Sequence, residues 1–186
     1  MPSQMKYPLK KATFGIILSA GLLVGTLDIL SAFVDYYIGT GKNPFGVLKY
    51  IASGAFGDSA LSGGAGMIIT GLFFHYIIAF SFTVFFFWLY PRVPFLAVNR
   101  ILTGIGYGIF IWMLMNLVVV QLSAAPHSPI PAMKPFKVLK SMLILIFMIG
   151  LPLSFIAYNY FFRESSADKA NNIANRLTDD TTNDAH

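Results

Sequence analysis

A chain of 186 residues suffices for one domain, and this one is 56% hydrophobic and 11% charged, where a soluble globular domain carries roughly 25% charged residues. So much apolar surface cannot be hidden from water in a domain of this size, which excludes a soluble globular fold and makes lipid the natural solvent. The absence of Cys excludes disulfides, thiolate metal sites, a cysteine nucleophile and c-type haem attachment, and the net charge of +5 is carried mostly near predicted helix ends.

No basic run is laid out with aromatics for base stacking, so nucleic acid is not an expected partner. The first predicted span covers about residues 13–34. Lys6, Lys10 and Lys11 ahead of an apolar run resemble a signal peptide superficially. The run continues past the usual signal core and carries Asp28, so a retained span is expected. Gly21 and Gly25 precede Asp28 on one helix face, a small-xxx-small surface that admits a second backbone.

The connector from Asp35 to Gly63 contains Asn43-Pro44, a capping residue followed by a proline suited to the first helical position. A short helix over about residues 44–55 is expected, too short to span, lying in the outer interface or dipping in as a re-entrant piece. Gly54 and Gly57 leave the approach to the next span permissive. Asp58 with Ser59 reads as its cap.

The second span, about residues 62–90, has one side chain that titrates near neutral pH, His75, with Gly71 one turn before it. Its far end is aromatic, with Trp88 and Tyr90 suited to an interfacial belt. Pro91 and Pro94 end it. The third span, about residues 101–122, carries the close-approach pair Gly104 and Gly108 and the polar Asn116. The segment from Ser123 to Lys137 holds Pro126, Pro129, Pro131 and Pro135 and is expected to be extended throughout. The fourth span, about residues 138–162, contains Gly150 and Pro152, where a kink or local opening is expected. Residues 163–186 read as a polar, largely disordered tail. The fold expected is thus an all-α integral membrane protein, a four-helix transmembrane bundle with one short interfacial or re-entrant helix.

With four spans both termini share a side. Eight Lys and Arg fall on that side and five on the other, a bias that puts both ends in the cytoplasm. Counting 1.5 Å per residue from the predicted span ends, Asp28, His75 and Asn116 lie roughly 9–14 Å below the outer surface of the hydrocarbon. A lone Asp in hydrocarbon is costly and should find a partner, so a buried Asp28–His75–Asn116 cluster is expected. Its alternatives are helix register and a proton or substrate site. One His and one Asp are too few ligands for a metal, and His75 has no second histidine in the membrane for haem, so no cofactor is expected. No HExxH, GxSxG or phosphate-loop motif is present.

The runs GLLVGTLDILSAF, IASGAFGDSALSGG and GLFFHYIIAF, within roughly Gly21 to Phe82, resemble a group of uncharacterised bacterial small multispan inner-membrane proteins, the YagU-like proteins. In that group a Gly-rich first helix with an Asp, an ASG-like connector and an intramembrane His recur. The resemblance implies a bacterial inner-membrane protein of unknown activity, with Asp28, His75, Gly54, Gly57 and Asp58 as the residues of interest. Three functions follow as expectations. The first is a non-enzymatic packing or assembly role, as a homo-oligomer or a subunit beside a partner membrane protein. The second is a small transporter or proton-coupled permease using Asp28 and His75. The third is a lipid- or quinone-acting enzyme, which requires Asp58 and His75 to line one cleft.

Overall fold

In the computed structural model the described residues are 14–126 and 135–162, and among them every regular element is helical. Four helices are long and apolar enough to cross a membrane: α1 (Phe14–Thr40), α4 (Ala65–Leu89), α5 (Arg100–Leu122) and α6 (Pro135–Phe162). Two short helices, α2 (Gly46–Phe56) and α3 (Asp58–Ser62), join α1 to α4. The connector between α4 and α5 winds into two 3-10 turns, Tyr90–Arg92 and Pro94–Ala97, and Asn99 caps α5 by accepting from the N–H groups of Ile101 and Leu102.

Three boundaries differ from the sequence expectation, each for a local reason. Helix α1 runs to Thr40, so Asp35 is helical and not part of the connector. The first residue that stops it is Gly41, whose φ of 66° takes the left-handed conformation that ends helices and whose N–H closes onto the Tyr37 carbonyl. The extra turns carry Asp35 to an ion pair with Lys140 on α6. The proline-rich segment does not stay extended to Lys137, because Pro135 occupies the first position of α6, where the missing N–H costs nothing. Asp58 and Ser59 do not cap α4. They open α3, and α4 starts from Gly64 without a side-chain cap. The expected extended loop over 127–134 and the tail over 163–186 lie outside the described residues.

Packing is organised by glycines. A Cβ on Gly21 would strike the Phe80 ring, and one on Gly25 would come within 3.2 Å of Tyr76 and Ala79, so α1 and α4 touch closely along this seam. On α5, a Cβ on Gly108 would lie 2.6 Å from the Ile146 Cα and one on Gly104 would lie 2.9 Å from the Leu151 Cα, so α5 and α6 meet backbone to backbone. Gly150 completes that seam by facing the Gly104 carbonyl. Small residues at such crossings let dispersion contacts and weak C–H donors operate where lipid supplies no hydrophobic drive. The end of the bundle nearest Tyr90 is solid, with Val24, Phe86, Tyr107, Leu153, Ala157 and Phe161 buried together. The other end is not.

Both α5 and α6 contain a π turn, Leu114–Val119 and Ile146–Gly150. The second lies just before Pro152, where the sequence predicts an opening. It lets the Leu151 N–H reach the Ile146 carbonyl before the proline removes a donor. The first has no proline to cause it. There the side chains of Asn116 and Gln121 support the loosened turn, Asn116 donating to the Trp112 carbonyl and Gln121 to the Asn116 carbonyl.

Candidate functional site

The open end of the bundle encloses a cavity of about 440 Å³. Its walls come from every long helix: Asp28 on α1, His75, Ile78 and Phe82 on α4, Ile111, Met115 and Val119 on α5, and Leu145 and Ile149 on α6. Helix α2 closes it with Tyr50, Ile51 and Gly54. Each π turn contributes to the wall, through Met115 and Val119 in one case and Ile149 in the other. A π turn widens the helix locally, and the α6 turn sits where Ile146 and Gly150 press against Gly108 and Gly104 of α5.

Local sequence explains how each wall is held. Asn43 accepts a hydrogen bond from the Phe45 N–H at 3.0 Å in the turn ahead of α2, which starts at Gly46 with no side-chain cap, so Asn43-Pro44 does not cap it as expected. Helix α2 packs chiefly on α4, with its Leu48 carbonyl seated on Gly71 where any Cβ would collide. Its buried face is Leu48, Ala52 and Ser53, while Phe45 and Phe56 at its ends are exposed. Helix α2 ends at Gly57, whose φ of 62° turns the chain, and the Gly54 carbonyl accepts from the Ala124 N–H at 3.0 Å just beyond the end of α5. That bond ties the cap of the cavity to the far wall.

His75 is buried, and its Nε2 lies 2.8 Å from the Gly25 carbonyl. A carbonyl can only accept, so Nε2 carries a proton and donates. Gly25 makes the bond possible: without a Cβ its carbonyl is reachable from the neighbouring helix. One turn further along α1, half-buried Asp28 lines the same cavity. A second interhelical bond, between the Thr26 and Tyr76 hydroxyls at 2.9 Å, fixes the same register between α1 and α4.

Asn116 does not complete this group. Its amide is committed to the Trp112 carbonyl at 2.9 Å, and its neighbours Met115 and Val119 face the cavity in its place. The level shared by the three polar residues along their helices is real arithmetic, but rotation about the axis decides who meets whom. Asn116 follows Met115 by one residue, about 100° round the helix from the Ile111–Met115–Val119 face that lines the cavity. Asp58 and Ser59 are exposed on α3, Ser59 donating to the Phe56 carbonyl, and neither lines the cavity. The condition set for an enzyme using Asp58 with His75 is therefore unmet.

The sequence reading also missed Tyr50 and Ile149. Tyr50 lies on the cavity wall, and burial pushes its phenol above its ordinary value, so it remains a neutral hydroxyl at physiological pH. No group of three or more potential metal-ligating side chains occurs among the described residues. In comparisons with protein-family models, with curated proteins and with solved structures, the chain matches none.

Proposed function

We propose that this protein binds a lipid-soluble molecule inside the membrane. The observation that carries the reading is the cavity itself: about 440 Å³, within the roughly 300–1,000 Å³ of small-molecule pockets, apolar over most of its wall, with Asp28 and His75 as a convergent polar pair. Intramembrane ionisable residues that face a cavity and pair with one another mark binding or transfer sites more often than lipid-facing ones do. The protein acts in a bacterial inner membrane, with both termini in the cytoplasm and α2 at the outer side. The experiment is native mass spectrometry of the full chain released from nanodiscs. One lipid-sized adduct per chain is expected, and it is lost when Met115→Trp and Ile78→Trp fill the cavity of a still-helical protein. A wild-type chain bearing no adduct, or an adduct indifferent to those substitutions, refutes the reading.

A purely structural role has one observation in its favour, the His75–Gly25 bond, which joins α1 to α4 whatever the cavity holds. Interhelical polar contacts of this kind contribute about 0.6 to 2 kcal/mol in membranes. On that reading Asp28→Asn changes assembly, and the wild-type chain carries no specific adduct.

A further inference from the structure

The two kinds of helix contact in this bundle differ in a way that determines how the cavity is reached. The α1–α4, α2–α4 and α5–α6 seams are closed by glycines, with main chain against main chain or against a side chain seated where a Cβ would be. Helices α4 and α5 are consecutive in the chain, yet they scarcely approach one another along their lengths. Aromatic rings hold them apart at the solid end: Phe86 and Tyr107 have centroids 4.5 Å apart, Phe85 and Phe110 stack at 5.8 Å, and the Tyr107 hydroxyl donates to the Phe82 carbonyl at 2.6 Å. On the cavity side of Phe82 no ring pair joins α4 to α5 among the described residues. The gap is bounded below by Phe82 and Tyr107 and above by the Gly54–Ala124 bond. Ile77 lines the cavity and is 46% exposed, so the cavity reaches the lipid-facing side of α4 there.

The polar pair constrains what can enter. The Nε2 proton of His75 is already given to Gly25. Asp28 lines the same cavity, and its carboxyl oxygens offer lone pairs there. An incoming hydroxyl can therefore donate a hydrogen bond to the pair, and an uncharged ligand is favoured because a net charge in hydrocarbon is strongly disfavoured. The remainder of the wall suits a hydrocarbon chain.

Resting on the proposed binding function, we infer that the ligand is an uncharged, hydroxyl-bearing hydrocarbon chain that enters sideways from the bilayer between α4 and α5 and donates its hydroxyl to the Asp28–His75 pair. Diacylglycerols, long-chain alcohols and polyprenols share this chemistry.

The test uses the full chain in liposomes and dodecan-1-ol carrying an aryl diazirine at the far end of its chain. Three matched probes accompany it: the methyl ether, which cannot donate, the carboxylate and the trimethylammonium. Saturable labelling of cavity residues such as Met115, competed by plain dodecan-1-ol, is read against the unsaturable labelling of outward residues such as Leu22. The alcohol is expected to label roughly threefold to tenfold more than its ether, the value of one net hydrogen bond. That preference should vanish in Asp28→Asn, and cavity labelling should fall in Ile77→Trp, with helix content by circular dichroism as the folding control. If Ile77→Trp does not fold, Ile77→Phe replaces it. Saturable labelling with no preference for the alcohol overturns the ligand class while leaving the pocket standing. Saturable labelling unchanged by blocking Ile77 overturns the sideways route. Absence of saturable labelling by all four probes overturns the binding function itself.

Discussion

Glycine 71 and glycine 106 look alike in sequence, each within an apolar helix, and the structure gives them opposite weights. At Gly71 an added methyl would meet the Leu48 main chain, which cannot swing aside as a side chain can. Gly71→Ala must push α2 off α4, and overpacking of this kind costs about 1–3 kcal/mol. At Gly106 there is open space, so Gly106→Ala adds only helix propensity, worth up to about 1 kcal/mol. Thermal unfolding in detergent should therefore show a lower midpoint for the first variant and an unchanged or higher one for the second. Equal effects at the two sites would contradict the α2–α4 contact. The pairs Gly21/Gly25 and Gly104/Gly108 are readable from their spacing alone, because a four-residue repeat stays on one helix face. The partner that each pair meets is not readable, because that depends on which helix stands opposite.

At the level of elements, hydropathy was a good guide and local winding was not. The four apolar helices follow from length and composition, since little but a helix satisfies a backbone in lipid. The end of α1 was misjudged because Asp35 looked like an exit from the membrane, whereas Gly41 is the residue that stops the helix. The π turn at Leu114–Val119 carries no proline to betray it. Only the amides of Asn116 and Gln121, five residues apart and both serving main-chain carbonyls, hint at it. Depth alone places Asn116 beside Asp28 and His75, and depth does not fix the face of the helix on which a residue lies. The buried glycines Gly21, Gly25, Gly71, Gly104 and Gly108 are occupied within this single chain.

Across the whole molecule, two arginine–aromatic pairs lie away from the cavity. Arg92 lies over Trp88 with its guanidinium 4.2 Å from the ring centre, and Arg100 lies over Phe155 at 4.6 Å, both at the solid end. Cation–aromatic pairs of this kind suit a membrane interface, where one side is wet and the other apolar. The proposed orientation puts that end in the cytoplasm. The chain has no Cys, so single introduced cysteines report without background. Lys42→Cys should react with a membrane-impermeant maleimide added to intact cells, and Arg92→Cys only after permeabilisation. The reverse pattern would invert the topology and place α2 on the cytoplasmic face.

The two π turns have a further consequence, because each is an α-helix wound around one surplus residue. Deleting Val118, which points away from the bundle, would return that part of α5 to ordinary winding. Every residue beyond the deletion would turn by about 100° and retract by about 1.5 Å. Ser123 and Ala125 would leave the wall, and Ala124 would lose its bond to Gly54, while the helix itself would keep its hydrogen bonds. The shortened protein should thus retain its helix content by circular dichroism and lose its adduct in native mass spectrometry. Retention of the adduct would show that the upper half of α5 is not part of the binding wall. The width of the cavity is set in two helices by the number of residues between fixed contacts, so a change of one in chain length can close a space that many side-chain substitutions would leave open.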